Sequence, residues 1–269
     1  MLALSVGSVA ACSGKSAKSA PAGHALPPTA GTRAAPVATP TPSRTGKLAS
    51  LQGKTILLDP GHNGGNADDP TRLNKKVFIG NGYTLCDTTG TETHAGYSEH
   101  AFTWDVVQRM KKLMLAAGAK VVLTRDNDTG FGPCVTQRSA IGNNAHADAG
   151  ISVHGDSAPD SGHGFHIIEP ALVKGYTEGI VGPSKKLGQA LHDAYHSETG
   201  IPNSTYLGVN GIDVRDDLGG LNMSKIPKVF IECGNMDNSG DAAKMTDPAF
   251  RQKIAQALVD GFAAYFAAS

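Results

Sequence analysis

The chain has 269 residues, with 24 basic and 24 acidic side chains and a formal net charge of zero. Charge balance without a Lys/Arg cluster interleaved with aromatics argues against a nucleic-acid partner. No run of about 20 apolar residues is present, so the sequence offers no transmembrane span.

Residues 1–12, MLALSVGSVAAC, read as the apolar back half of a secretory leader. Val9-Ala10-Ala11-Cys12 looks like the small-residue box at which bacterial lipoproteins are cleaved and acylated, making Cys12 a candidate for lipidation and lipid anchoring. The expectation is an exported protein of the cell envelope or secreted medium. Residues 13–49 are rich in Ala, Pro, Ser and Thr, with too little apolar surface to offset chain entropy, and read as a tether. Residues 50–269 are long enough for one domain with a proper core.

Within that domain Lys54 to Leu58 reads as the first strand. Val77-Phe78-Ile79 and Tyr83-Thr84-Leu85 flank Gly80-Asn81-Gly82, a hairpin signal. Ser98 can cap a helix to about Ala117, its Phe102, Val106, Met110 and Leu113 forming one apolar face before Gly118 stops it. A strand follows at 120–124, a helix at 135–147 and a strand ending on His154. Another strand is expected at 164–169, a helix at 184–199, a strand at 229–232 and a closing helix at 248–268. Alternating strands and helices imply a single α/β domain with a mainly parallel twisted sheet covered by helices on both faces. There is no internal repeat.

Cys86 and Cys134 lie in polar, Gly-rich loops. Paired, they would close a loop of about 48 residues, worth roughly 4 kcal/mol in the loop-entropy model. Such a disulfide fits an oxidising compartment. Cys233, in an apolar strand, reads as a small buried hydrophobe rather than a nucleophile.

Three apolar runs end on residues suited to metal chemistry: Ile56-Leu57-Leu58-Asp59-Pro60-Gly61-His62, Ile151-Ser152-Val153-His154 and Val229-Phe230-Ile231-Glu232. In an open α/β sheet, chemistry collects at the carboxyl ends of the strands. A hydrolytic zinc needs three protein ligands, an open position and acid–base help. His62 and His154 are the histidine candidates, each with a glycine neighbour that keeps the metal side uncrowded, whereas His24, His146, His192 and His196 read as ordinary surface or core side chains. For the third ligand Glu99 competes with Glu92, His94 and His100, and the helix dipole alone would explain Glu99 at a helix start. Glu232 follows an apolar strand, where an unpartnered carboxylate is costly, and a metal-bound water would be a natural partner to deprotonate.

Asp59-Pro60-Gly61-His62, Gly96-Tyr97-Ser98-Glu99, Thr124-Arg125, Arg138 before Ala147-Asp148, Ser152-Val153-His154, and Glu232-Cys233-Gly234 followed by Asn238 occur in this order. Together they resemble the zinc-dependent N-acetylmuramoyl-L-alanine amidases that cut bacterial peptidoglycan, most like the single-domain actinobacterial members. The resemblance spans residues 54–266. It implies one zinc on His62, Glu99 and His154, Glu232 as catalytic acid–base, and peptidoglycan or its muropeptide fragments as substrate. Two departures stand out: Asp156 where Asn is common after the second histidine, and Asn235-Met236 in place of Phe-Leu. Regulated members carry a plugging helical insertion and wall-binding modules. Here only a short loop separates His166 from Ser184, the tether holds no module, and no obligatory protein activator is expected. The 74–94 hairpin segment would flank the groove instead. The rival readings are a zinc peptidase acting on the stem peptide and an inactive wall-binding module.

Overall fold

The apolar run Ile56-Leu57-Leu58 sits inside a six-stranded sheet in the computed structural model, which describes residues 44–269. The leader expected at 1–12, with Cys12, and the tether up to residue 43 lie outside the described residues. The elements begin with α1 (Arg44–Lys47), a 3-10 turn at Ala49–Leu51, β1 (Thr55–Pro60), a turn at Asn66–Asp68 and α2 (Pro70–Leu73). The hairpin follows as β2 (Lys76–Phe78) and β3 (Tyr83–Leu85), then α3 (Glu99–Ala116), β4 (Lys120–Leu123), α4 (Val135–Asn144) and β5 (Ala149–Asp156). The second half holds β6 (His166–Pro170), α5 (Val181–Thr199), β7 (Ile212–Arg215), α6 (Gly219–Asn222), β8 (Lys228–Asn235), α7 (Ser239–Thr246) and α8 (Pro248–Ala267).

The sheet order is β4-β1-β5-β8-β6-β7. The first four strands run parallel, and β6 reverses against β8 while pairing parallel with β7. The expected mainly parallel α/β sheet is therefore present, with one reversal. Period-two alternation separates its faces. Ile56, Leu58, Ile151, Val153, Val229 and Ile231 are fully buried in a core that includes Phe102 and Met110 of α3, Leu187 and Tyr195 of α5, and Leu258 and Phe262 of α8. Cys233 lies in the same core with a free thiol. On the other face Leu57 packs with Ala147, Ile226 and Ile141 of α4.

The folded part starts before the boundary expected at residue 50. Lys47 pairs with Asp260 at 2.6 Å and Glu198 at 2.9 Å, Ser50 donates to the Ala263 carbonyl, and Leu51 is fully buried. Composition hid this because only Leu48 and Leu51 carry apolar weight there. Ser98 occupies the N-cap of α3 without a capping hydrogen bond. Beyond the four-residue helices α1, α2 and α6, the elements not expected from sequence are the four-residue edge strand β7, and α7, whose N-cap Asn238 accepts from the Gly240 and Asp241 amides.

Candidate metal centre

Because β1, β5 and β8 run parallel, their carboxyl ends share one sheet edge. His154 and Glu232 are register neighbours on β5 and β8, and Asp59 faces Ser152 between β1 and β5. His62 lies just past β1, in the left-handed backbone region at φ 58°. L-residues adopt this conformation at a cost and only where surroundings enforce it. Here the enforcers are two guanidinium groups. Arg138 donates to the Pro60 carbonyl at 2.7 Å and the His62 carbonyl at 2.9 Å, and Arg125 donates to Pro60 at 3.1 Å and Gly61 at 3.2 Å.

Gly61 is required by close approach: a Cβ there would lie 2.2 Å from the His154 ring. The second glycine has a different cause. A Cβ on Gly155 would meet the Met245 methyl at 2.6 Å and the Met236 sulfur at 3.0 Å, so Gly155 clears packing behind the strand rather than the metal side.

Glu99 opens α3 and is buried, with its carboxylate aimed at both histidines. His154 Nδ1 lies 2.8 Å from Oε1 and His62 Nε2 lies 3.1 Å from Oε2. Thr91 and Gly155 amides donate to the same two oxygens. One ligand atom from each of His62, Glu99 and His154 falls within 4.8 Å of the others, the one such buried His/Glu cluster among the described residues. The competing ligands face elsewhere: His100 Nδ1 is 2.8 Å from Asp128, His94 is exposed beside Asp160, and Glu92 is exposed.

The other nitrogen of His62, Nδ1, is held 3.3 Å from Asp87 and 3.1 Å from the Thr88 carbonyl. A carboxylate behind an imidazole fixes its orientation and raises its basicity. Burial opposes charge on His62, but Glu99 and Asp87 outweigh it and push the pKa up to about 10. Burial lowers the His154 pKa. Glu99 remains ionised despite burial, because the two imidazoles hold it below the usual carboxylate range.

Glu232 lines the same groove, while its Oε2 is turned inward with no hydrogen-bond partner. Burial, reinforced by the Glu99 charge, pushes its carboxyl well above the ordinary value. Beneath the groove Asp59 binds the buried Lys228 at 2.7 Å and Arg138 at 2.9 Å. Arg138 also grips Asp87 at 2.9 Å. Cys86 and Cys134 are joined by a disulfide, so the Asp87 loop is tied to the start of α4. The groove has a volume of about 370 Å³, and Thr84 and Leu85 of β3 form part of its wall. Two nitrogen donors and one carboxylate at this spacing fit a hydrolytic zinc, whose ligand bonds are about 2.0–2.2 Å.

A sequence profile described as N-acetylmuramoyl-L-alanine amidase matches residues 56–264. The chain belongs to this family. It is 37% identical to an N-acetylmuramoyl-L-alanine amidase of Mycobacterium tuberculosis over 86% of this chain and 95% of that protein. The crystal structure of the amidase Ami1 from Mycobacterium smegmatis superposes with a TM-score of 0.77 at 37% identity, covering 81% of this chain and 99% of that one. The apo form of Ami1 from Mycobacterium abscessus gives 0.75 at 38% identity, covering 80% and 99%.

Asn235 and Met236, which follow Gly234, serve the loop after β5 and the core rather than lining the groove. Asn235 is buried and donates to the carbonyls of Ala158, Pro159 and Gly162, which folds the loop after β5 into place. Met236 fills the space that Gly155 leaves. Asp87 and Lys228 were not singled out from sequence. Asp87 had a usable signal in its position beside Cys86, whereas a lysine at the start of a strand, such as Lys228, is ordinarily solvated and gives no such signal.

Proposed function

We propose that this amidase cleaves the amide between N-acetylmuramic acid and L-alanine in peptidoglycan with one zinc held by His62, Glu99 and His154, and with Glu232 as acid–base. Family membership carries the reaction. The convergence of His62 Nε2, His154 Nδ1 and the Glu99 carboxylate beside Glu232 carries the assignment of roles. What the ion supplies when bound is Lewis acidity toward a carbonyl and a lowered pKa for water.

The chain's own residues do the rest. Asp87 holds His62 so that Nε2 faces the groove, and Arg138 holds Asp87 and the strained turn together. Glu232 takes a proton from the attacking water and returns it to the nitrogen of the departing L-alanine. Its raised affinity for a proton suits the second half of that task. Such a substrate places the protein in the cell envelope, and the Cys86–Cys134 disulfide suits that compartment. No helix among the described residues is long and apolar enough to cross a membrane.

The test is mass spectrometry of products from a defined muropeptide, with and without a chelator. The expected products are the free lactyl carboxylate and the intact stem peptide, lost on chelation. Released D-alanine or cut cross-links, with the sugar–peptide bond intact, would point to the peptidase reading. His154→Ala should lower bound zinc and abolish cleavage, and full occupancy in that variant would refute the ligand set.

A further inference from the structure

His166 opens β6 and is paired across the antiparallel ladder with Glu232. Residues directly opposite on such a ladder share a face, with Cβ atoms about 4.5–5.5 Å apart. His166 is fully buried, yet neither ring nitrogen has a protein partner. The inward oxygen of Glu232, Oε2, and the buried hydroxyl of Tyr206 share that condition. The Tyr206 ring stands edge-on to the imidazole at 6.0 Å, backing it from the side. Buried polar atoms in native proteins are nearly always hydrogen-bonded, and those that are not call for an explanation. These atoms are not bonded to one another either, but His166 and Glu232 stand opposite each other on the ladder, an unused donor facing an unused acceptor.

We propose that His166 is a positioning residue for Glu232: a side-chain rotation of either residue pairs the imidazole N–H with Oε2, a bond not made in this structure, so that the other carboxyl oxygen faces the reacting groups. Burial lowers the basicity of His166, which favours the neutral ring, and a neutral imidazole still offers one N–H. Oε2 can accept whether Oε1 is ionised or protonated, more strongly when the group is ionised, so the contact survives both halves of the proton transfer and His166 itself gains and loses no proton. An apolar residue would fill this place without stranding two nitrogens, so packing alone gives no reason for a histidine.

The inference rests on Glu232 as acid–base, and the test separates the two. His166→Phe keeps a ring against Tyr206 and removes the donor; His166→Gln restores an N–H. With a defined muropeptide, His166→Phe should lower kcat by about 10- to 100-fold, the scale set by misplacing a catalytic group. KM, zinc content and Tm should stay near wild type, and His166→Gln should recover most of the loss. In a Glu232→Gln background His166→Phe should cost nothing further, since coupled residues are not additive. Wild-type kcat in His166→Phe, or an additive loss in the double variant, would overturn the proposal. If His166→Phe fails to fold, nitrogen-15 spectra of the histidine rings decide: Glu232→Gln should move the His166 signals, and unmoved signals reject the contact. Full activity in Glu232→Gln alone would instead overturn the acid–base reading.

Discussion

At the scale of single residues, the centre depends on side chains that each look ordinary out of context. Glu232 is the clearest case: an apolar strand delivers it to the groove, and burial raises its hold on a proton. Glu232→Gln removes the acceptor while keeping the shape. Metal content should be unchanged and turnover should fall by roughly 100–10,000-fold, the range of general acid–base contributions. Activity within a few-fold of wild type would place the base elsewhere. Asp59 matters for stability rather than chemistry. Burial alone would raise its pKa, but Lys228 and Arg138 hold it well below the usual range. A carboxyl with a depressed folded pKa contributes stability that is full above its unfolded value, about 3.9, and is lost as pH falls through the folded one. Acid unfolding should therefore sharpen below about pH 4. Asp59→Asn, which leaves Lys228 buried and unpaired, should cost about 3–5 kcal/mol at neutral pH and flatten that acid limb. An unchanged denaturation midpoint would refute the role.

Among the elements, the informative pieces are those joining the hairpin segment to the sheet. The hairpin itself was legible from Gly80-Asn81-Gly82, and Thr84 and Leu85 do line the groove. The sequence did not show that the Cys86–Cys134 bond seats Asp87 behind His62. Reduction frees a loop spanning 48 residues in sequence, with a loss of stability of about 4 kcal/mol in the loop-entropy model. Because Asp87 orients a proposed ligand, reduction by a dithiol should also weaken zinc affinity, by about 10–100-fold on the scale of outer-shell changes. Calorimetric zinc titration of oxidised and reduced protein measures this, and equal affinities would uncouple the disulfide from the centre. The short elements β7 and α7 were missed because four alternating residues, or eight begun by a polar cap, carry too little periodicity to stand out from turns.

For the whole molecule, the described residues form a catalytic domain whose groove is flanked by the hairpin and carries no helical plug. Residues 44–269 should cleave small muropeptides with no added protein. These residues alone should cut cross-linked wall more slowly, because the one groove they form has no second anchor among them to raise its effective concentration there. Inertness on fragments until a partner is supplied would require an inhibitory element this reading lacks.

The strand-end positions of His62, His154 and Glu232 were determined by local pattern alone, since apolar runs broken by Gly and Pro become buried strands wherever they fall in the fold. The parallel arrangement followed from the alternation of strands and helices. Glu99 could not be separated from Glu92, His94 and His100 by sequence position, because all four lie on one stretch of chain. Its choice depends on which side chain α3 turns toward β5. The left-handed turn at His62, the carboxylate behind it and the His166–Glu232 pairing were likewise decided only in three dimensions. Each joins residues far apart in sequence, and ladder register and packing bring such groups within reach of one another where periodicity has no say.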